Sequence, residues 1–400
     1  MTGGEFSPKQ WQMILDGAHH KGRIYPTEGR FSSIYGVYRY PARFSPTFVR
    51  SVLSAVAPPQ AKVLDPFLGS GTTIFESLRG GFSATGIDLS PVSNFIVERF
   101  TRGTSSATLR KAEEIGEQIV SQLEMDLSPR ETLIGLWPEE HPGDVEFQEV
   151  FQSLEVFTEA ALGARGETAK ILQLVALSAG QWAIDGRRVP VGKNELVERL
   201  ALLVNRIPAL LNYWQQSLAE IWGDSAWRAQ IVHLKGDSIK ELESLAASQS
   251  QMFDISITSP PYPGVHILYA KWQLRGRKES HLPAYIVGSD ARPESQLTMG
   301  SRLTGTDEYF RKLKVVAESL SSVTVQGGVS IQLVGFSDSK SQLPRYLEIF
   351  EEAGLTQLMP TGLEPTMMAR DVPSRKWQAA SKGDLDTKKE HLLVFKKTSM

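Results

Sequence analysis

The chain has 400 residues, of which 41% are hydrophobic and 22% charged, and its formal net charge is −2. This composition is typical of a globular protein with one large or two moderate cores, and no run approaches the roughly 18 apolar residues of a membrane span. The absence of cysteine excludes disulfides, thiolate metal sites and a cysteine nucleophile. We expect a cytoplasmic protein without a metal site, since residues 1–5 show no secretory pattern.

Charge is unevenly distributed along the chain. Residues 1–100 carry 10 Lys/Arg and 7 Asp/Glu, residues 101–228 carry 12 and 19, and residues 229–400 carry 21 and 19. The acidic middle segment is therefore a poor candidate for the main phosphate-binding surface. A group of cations in the last segment is either a solvated face or a nucleic-acid surface. Its members are Lys271, Arg275, Arg277, Lys278, Arg302, Arg311, Lys312 and Lys314.

Apolar spacing and helix breakers predict alternating helices and strands in the first hundred residues. Ser45 and Pro46 are the expected cap and first residue of the second helix. In chain order, we expect helices at 8–16 and 44–56, a strand at 61–64, a helix at 73–79, a strand at 84–88 and a helix at 91–100. Such an alternation is typical of a parallel sheet.

Residues 101–228 change to helical spacing, with helices expected at 109–123, 145–162, 168–183 and 195–221. Strand spacing returns at 229–234, 253–258, 328–334 and 391–395, with helices near 307–319 and 343–353. The sequence therefore predicts an α/β fold, a doubly wound, mostly parallel Rossmann-like sheet interrupted by a helical insertion. Residues 1–100 hold its first half, 101–228 the insertion and 229–400 its second half.

A glycine-containing loop follows the first predicted strand in the sequence Val-Leu-Asp-Pro-Phe-Leu-Gly-Ser-Gly-Thr-Thr, residues 63–73. Gly69 and Gly71 allow a tight turn and a close approach to a ligand, and the next helix offers unpaired N–H groups. Asp65 ends this strand and Asp88 ends the next, where a carboxylate can accept hydrogen bonds from ribose hydroxyls. Read alone, the loop fits NAD or no ligand, and Asp88 fits a helix cap. The dinucleotide pattern, however, is broken at Ile74.

The tetrapeptide Ser259-Pro260-Pro261-Tyr262 follows the apolar strand at 253–258. The Ser259 hydroxyl and the Pro260 carbonyl are suitable hydrogen-bond acceptors, and two prolines hold them in place. Tyr262 offers a flat face for stacking. On its own, the tetrapeptide also fits a rigid loop or a polyproline ligand.

Together and in this order, the two motifs resemble the S-adenosylmethionine-dependent amino-methyltransferases of DNA, which methylate the exocyclic nitrogen of cytosine or adenine. The resemblance covers roughly residues 35–100 and 229–400. It implies direct transfer to an amine held by Ser259 and Pro260, on a flipped base stacked against Tyr262. Serine at the first position favours cytosine N4 over adenine N6 and over the guanine amino group of RNA. The residues implied to hold S-adenosylmethionine are Asp65, Pro66, Phe67, Gly69, Gly71, Thr72, Thr73 and Asp88.

Two further segments are similar to cofactor-binding parts of the same family. The stretch at 38–46 implies cofactor contacts from Phe44 and Ser45, and otherwise fits a surface turn with an aromatic anchor. Asp237, after the strand at 229–234, is the implied acceptor of the adenine amino group, although it is equally suited to cap the next helix.

The resemblance does not extend to the insertion, which serves either target recognition or a dimer or partner surface. Its tryptophans, Trp182, Trp214, Trp222 and Trp227, suggest a helical core. In the expected loop 264–302, Tyr269 and Trp272 fit either a base pocket or core, and His266 fits a polar loop residue. The implied partners are double-stranded DNA, a cognate restriction endonuclease or defence partner, and a second copy of the chain. An RNA methyltransferase and a non-catalytic relative remain as alternatives.

Overall fold

An eight-stranded sheet organises the described part of the chain. The computed structural model describes residues 6–20, 33–40, 43–125, 145–248, 251–263, 271–274, 278–289, 299, 305–361, 365–371 and 389–398. The sheet strands are β1 (Lys62–Asp65), β2 (Ser83–Asp88), β3 (Ile231–Lys235), β4 (Phe253–Thr258), β7 (Thr324–Gly335), β8 (Leu355–Gln357), β9 (Ala369–Asp371) and β10 (Lys389–Lys397). A separate hairpin pairs β5 (Trp272–Leu274) with β6 (Lys278–Ser280).

The strand order is β3-β2-β1-β4-β7-β10-β8, and β9 pairs with β10. From β3 to β7 all neighbours are parallel, whereas β10 runs antiparallel to β7, β8 and β9. Strands β2 and β3 follow on one side of β1, and β4 then pairs with β1 on its other side. The carboxyl ends of β1 and β4 therefore form a switch point, where ligands bind in open α/β sheets. The predicted fold class is confirmed.

Twelve α-helices occur among the described residues: α1 (Pro8–His19), α2 (Pro46–Val56), α3 (Thr72–Arg79), α4 (Pro91–Thr101), α5 (Ser106–Glu124), α6 (Val145–Gly163), α7 (Gly166–Ile184), α8 (Lys193–Trp222), α9 (Ser238–Ser248), α10 (Leu282–Ile286), α11 (Gly305–Val323) and α12 (Ser339–Glu352). None of them is long and apolar enough to span a membrane. Ser45 is the N-cap of α2, so that helix begins at Pro46 rather than at Phe44.

Several element boundaries differ from the sequence-based expectation. Strand β7 begins at Thr324, four residues before the predicted start, because it continues through a glycine pair with Gly327 at φ +78°. Strand β3 begins only at Ile231, after a 3₁₀ turn at Ala226–Gln230. The expected loop 264–302 contains the β5–β6 hairpin and α10 in its described part.

Three tryptophans of the insertion attach it to the sheet half of the molecule. The indole N–H of Trp214 donates to the Phe100 carbonyl (2.7 Å) and that of Trp227 to the Thr101 carbonyl (3.2 Å), both at the end of α4. Trp222 donates to the carbonyl of Leu78 in α3 (2.8 Å). One buried apolar cluster runs from α1 through α5–α8 to β10. These three indoles therefore join the insertion to α3 and α4. Trp214 and Trp227 are buried in the apolar cluster, and Trp182 and Trp222 pack against it.

Helix α7 of the insertion also holds the segment before α2. Gln181 accepts from the Arg39 backbone N–H (2.6 Å) and donates to its carbonyl (2.8 Å). Asp185 pairs with the Arg39 guanidinium (2.6 Å), and the N–H of Gly186 donates to the Gln273 carbonyl of β5 (2.8 Å). The insertion thereby holds both the segment before α2 and strand β5.

Candidate active site

A hydrogen bond joins the two sequence motifs at the switch point. The hydroxyl of Thr258, the last residue of β4, donates to Oδ1 of Asp65, the last residue of β1 (2.9 Å). Both side chains are buried. Because Ser259 is the next residue, the tetrapeptide starts directly beside the glycine-containing loop.

Asp65 is a buried carboxyl group without a cationic partner among the described residues. Its Oδ1 also accepts from the Phe67 backbone N–H (3.1 Å). Burial raises the pKa of Asp65 to about 7, against the lowering effect of its hydrogen bonds, and the nearby Asp88 raises it further. Such a group gains most from a cation placed beside it.

Asp88 fastens the glycine-containing loop to the end of β2. Its Oδ2 accepts from the Gly69 N–H (2.6 Å) and its Oδ1 from the Ser90 N–H (2.7 Å). The second contact matches the alternative of a helix-cap role, since Ser90 precedes α4. Burial raises the pKa of Asp88 to about 6 although both backbone contacts lower it. The remaining lone pairs on each oxygen can still accept from hydroxyl groups.

The loop itself needs glycine at two positions. Gly69 and Gly71 have φ of +53° and +80°, a region that favours glycine. The Ser93 hydroxyl donates to the Gly69 carbonyl, and the hydroxyls of Ser70 and Thr72 contact each other (2.9 Å). Among the other predicted cofactor residues, Pro66, Thr72 and Thr73 are buried and Phe67 is half-buried.

Replacement of Gly71 by alanine is expected to destabilise the protein by about 2 kcal/mol or more and to weaken cofactor binding. A Cβ there would lie 2.6 Å from Cγ2 of Val97 and 2.9 Å from Cζ of Phe75, in an unfavourable φ region. Chemical denaturation measures the change. Gly163→Ala, where a Cβ has no neighbour within 4 Å, serves as the control, and equal stabilities of the two variants would contradict the packing argument.

The aromatic segment before α2 reaches the loop through Tyr40 rather than through Phe44. A Cβ on Gly69 would lie 3.2 Å from Cε1 of Tyr40. Phe44 is 8% exposed and packs on Phe48 with ring centroids 5.5 Å apart. Ser45 makes no side-chain cap bond in α2. Cofactor contacts of Phe44 and Ser45 stay predictions, and the packing of Phe44 matches the alternative role of an aromatic anchor.

Asp237 lies at the same edge, beside the end of β2. The N–H of Gly236 donates to the Asp88 carbonyl (3.1 Å). Oδ1 of Asp237 accepts from the Ile239 N–H (2.9 Å) at the start of α9, which is the capping role considered from the sequence. The adenine contact of Asp237 stays a prediction.

The tetrapeptide is held by the neighbouring strands. The Ser259 hydroxyl donates to the Leu333 carbonyl of β7 (2.9 Å), and its Oγ lies 3.1 Å from the Tyr262 hydroxyl oxygen. The Tyr262 O–H donates to Oε1 of Glu390 in β10 (2.8 Å). Tyr262 is 5% exposed, so little of its ring is open to a base in this arrangement, and stacking stays a prediction.

Trp272 does not line a base pocket. It is fully buried, and its indole N–H donates to the Tyr38 hydroxyl (3.0 Å). Its ring lies close to Gly180 of α7, where a Cβ would come within 2.7 Å. Trp272 is therefore a core residue between the insertion and the segment before α2. Tyr269 and His266 lie outside the described residues.

The described cations after the tetrapeptide form local ion pairs. Lys271 pairs with Glu279 (2.6 Å), Lys314 with Glu352 (3.0 Å), and Arg311 and Lys312 with Glu308 (2.7 and 3.4 Å). These contacts match a solvated face. Arg275, Arg277 and Arg302 lie outside the described residues, as does the side chain of Lys278.

Three contributors to the site were not recognised from the sequence. Tyr40 was part of the quoted aromatic stretch, and Thr258 directly precedes the tetrapeptide, so position alone could have indicated both. Glu390 gave no signal, because its contact with Tyr262 joins residues 128 positions apart.

The geometry fits a cationic ligand that also carries hydroxyl groups. Asp65 and Asp88 are buried, have raised pKa values and form no ion pair among the described residues. The loop between Asp65 and Asp88 leads into α3. The first turn of this helix has no side-chain cap, so its backbone N–H groups can face a ligand. An amino-acid end with an ammonium group suits Asp65, and a ribose suits Asp88.

Known proteins resemble this chain in part. Residues 9–94 match the DNA methylase family of N6 and N4 methyltransferases. Over 245 residues the chain is 23% identical to Type II methyltransferase M.MvaI of Kocuria varians, covering 56% of this chain and 52% of the relative. Over 88 residues it is 33% identical to Type II methyltransferase M.MjaII of Methanocaldococcus jannaschii, covering 22% and 15%. The chain thus spans about half of the first relative and less of the second.

Among solved structures, TrmN from Thermus thermophilus aligns over 88% of this chain and 49% of its own, with 11% identity and a TM-score of 0.32. The family and curated matches confirm the family resemblance drawn from the two motifs.

Proposed function

We propose that this chain, a member of the amino-methyltransferase family, methylates the exocyclic N4 of cytosine in double-stranded DNA. The hydrogen bond between Thr258 and Asp65 supports this most directly, because it sets the tetrapeptide beside the glycine-containing loop. A donor held by the loop and an amine held by the tetrapeptide would then be neighbours, as direct transfer requires.

The loop residues are proposed to hold S-adenosylmethionine, whose sulfonium supplies an electrophilic methyl group. Asp65 would bind its ammonium group and Asp88 its ribose hydroxyls, while Gly69 and Gly71 let the backbone approach. Pro66, Phe67, Thr72 and Thr73 complete the loop, and Asp237 is the proposed acceptor for the adenine amino group. Each assignment is supported by position at the carboxyl edge of β1, β2 or β3.

Ser259 and Pro260 are proposed to accept hydrogen bonds from the target amine. The lone pair of an exocyclic amine is delocalised into the ring, and acceptors on its N–H groups favour a more tetrahedral, more nucleophilic nitrogen. The Ser259 proton points at the Leu333 carbonyl, which leaves the Oγ lone pairs for this task. Pro261 fixes the loop, and Tyr262 is the proposed stacking residue.

Cytosine N4 is proposed over adenine N6 because Ser259 is a neutral acceptor, as the cytosine-acting members of the family mostly have. The similarity to two relatives named Type II methyltransferases supports a place in restriction-modification, with a cognate endonuclease as partner.

The product test uses deuterated-methyl S-adenosylmethionine with duplex DNA and, separately, total RNA, followed by mass spectrometry of nucleosides. Labelled N4-methylcytosine from DNA is expected. Labelled N6-methyladenine would overturn the choice of base, and label in RNA alone would overturn the choice of nucleic acid. Cofactor binding without any label would favour a non-catalytic relative.

Binding of S-adenosylmethionine is expected to release a proton at about pH 6.5 and none at about pH 8.5. Asp65, with its pKa raised to about 7, is largely protonated at the lower pH, and a neighbouring cation favours the ionised form. Without ligand, the same shift lowers stability as the pH rises from about 4 through 7. Calorimetry in buffers of different ionisation enthalpy measures the release.

Asp65→Asn is the matched control, since it keeps the shape but cannot ionise. Its binding should be weaker and independent of the buffer. An unchanged proton release in this variant would assign the proton to another group, first of all Asp88, whose charge acts on Asp65.

A further inference from the structure

The loop that follows α7 joins three segments of the chain. Residues 185–188, which we call the arginine loop, contact both the segment before α2 and strand β5. Nη2 of Arg39 pairs with Oδ2 of Asp185 (2.6 Å). Oδ1 of Asp185 accepts from the Gln273 N–H of β5 (3.0 Å), and the Gly186 N–H donates to the Gln273 carbonyl (2.8 Å). The arginine loop is therefore held in one place by an ion pair and two backbone contacts.

This junction is connected to both sequence motifs. Arg39 directly precedes Tyr40, and Cε1 of Tyr40 would lie 3.2 Å from a Cβ on Gly69. Strand β5 is the next described strand after the tetrapeptide. One segment of the junction thus packs against the glycine-containing loop, and another follows the tetrapeptide in the chain.

Positive charge exceeds negative charge at the junction. Arg39 has 55% of its side chain exposed, Arg187 is half-buried and Arg188 is exposed. A Cβ on Gly186 would lie 3.9 Å from Nη2 of Arg39, so this guanidinium lies beside the arginine loop. The acid of the loop is Asp185, and both of its oxygens already have partners. Three guanidinium groups thus share one carboxylate.

Arg187 and Arg188 differ from the described cations after the tetrapeptide, because neither forms an ion pair within the part of the chain that the structure describes. Nε of Arg187 donates to the Trp182 carbonyl (2.8 Å), and its guanidinium carbon lies 5.3 Å from the centre of the Trp182 ring. The indole holds this side chain in place, which reduces the entropy lost when a ligand binds. Guanidinium groups match the two oxygens of a phosphate.

We propose that the arginine loop and Arg39 bind backbone phosphates of the DNA near the target base. This inference rests on the proposed function, since it takes the duplex as substrate. It places phosphate binding on an insertion with more acidic than basic residues (19 against 12). The average charge of the insertion does not describe this loop, because salt screens exposed charges more than about 10 Å away.

The substitution Arg188→Gln tests the loop with little structural change, since no described residue takes a hydrogen bond or an ion pair from Arg188. Duplex affinity should fall about fivefold or more at about 0.1 M salt, whatever the DNA sequence. The slope of log Kd against log salt should fall by about 1, and by about 2 in Arg187→Gln/Arg188→Gln. Fluorescence anisotropy of a labelled duplex of arbitrary sequence, at several salt concentrations, measures both quantities.

Arg110→Gln is the matched control. Arg110 is an exposed arginine on α5 of the same insertion, near Glu113, so its loss changes the net charge equally. The control should keep the wild-type affinity and slope. In methyl transfer, Arg188→Gln should raise the KM for duplex DNA much more than it changes kcat, with S-adenosylmethionine affinity as in the wild type.

Equal slopes for Arg188→Gln and Arg110→Gln would overturn the inference, because the effect would then belong to net charge or be absent. If the double variant does not fold, Arg188→Gln alone decides. Duplex binding is measured without methyl transfer, so a wild-type protein that binds duplex but methylates no base would overturn only the proposed function. A wild-type protein that binds no duplex would overturn both.

Discussion

Ser259→Ala is expected to lower the methyl-transfer rate by about one to three orders of magnitude, with S-adenosylmethionine affinity nearly intact. The Ser259 hydroxyl directly follows Thr258, whose own hydroxyl contacts Asp65 of the cofactor-side motif. Alanine removes this acceptor but none of the contacts around the glycine-containing loop. Single-turnover rates with saturating duplex DNA and cofactor, together with calorimetry, measure both quantities.

Ser248→Ala is a matched control for this variant. Its hydroxyl also donates to a backbone carbonyl, that of Leu245 (3.2 Å), but it is exposed at the end of α9. The control should transfer at the wild-type rate. Turnover of Ser259→Ala equal to the control would remove Ser259 from the mechanism and leave the Pro260 carbonyl as the acceptor to test.

Asp88→Ala is expected to weaken S-adenosylmethionine binding by about tenfold to a thousandfold, with a smaller effect on the rate at saturating cofactor. Hydrogen bonds to a charged acceptor contribute about 1.5–3 kcal/mol, and Asp88 also holds the Gly69 N–H. Binding calorimetry of the free protein measures the loss.

The exposed residue Asp224, replaced by alanine, is the control for Asp88→Ala. Asp88→Asn adds a second comparison, because an amide keeps one oxygen as an acceptor for backbone N–H groups. Its affinity should lie between those of wild type and Asp88→Ala. An unaltered affinity of Asp88→Ala would contradict the ribose assignment.

The insertion contacts the elements that carry the glycine-containing loop and Asp88. Three of its tryptophans donate to carbonyls of α3 and α4, the two helices that follow the ends of β1 and β2. Helix α7 holds the segment that brings Tyr40 against Gly69. The insertion thus supports the loop side of the site, whereas target recognition and a dimer or partner surface both stay predictions.

The elements around the site could be predicted from the sequence because local physical chemistry specifies them. Proline at the first helical position begins α2, glycine at positive φ allows the turn before α3, and the apolar run before Ser259 is a buried strand. The role of Trp272 was not predictable, because a tryptophan in an expected loop fits a pocket or a core equally well. Its contacts with Tyr38 and Gly180 show that Trp272 is a core residue.

The sequence by itself determined the fold class, the family and the two motifs, since these depend on spacing and on residue types in short stretches. The tertiary structure decided how they meet, through the contact of Thr258 with Asp65 and the orientation of Ser259 by Leu333. It also supplied Glu390, which contacts Tyr262 only after β10 pairs with β7. Contacts between distant segments follow from strand order and register, which no local pattern encodes.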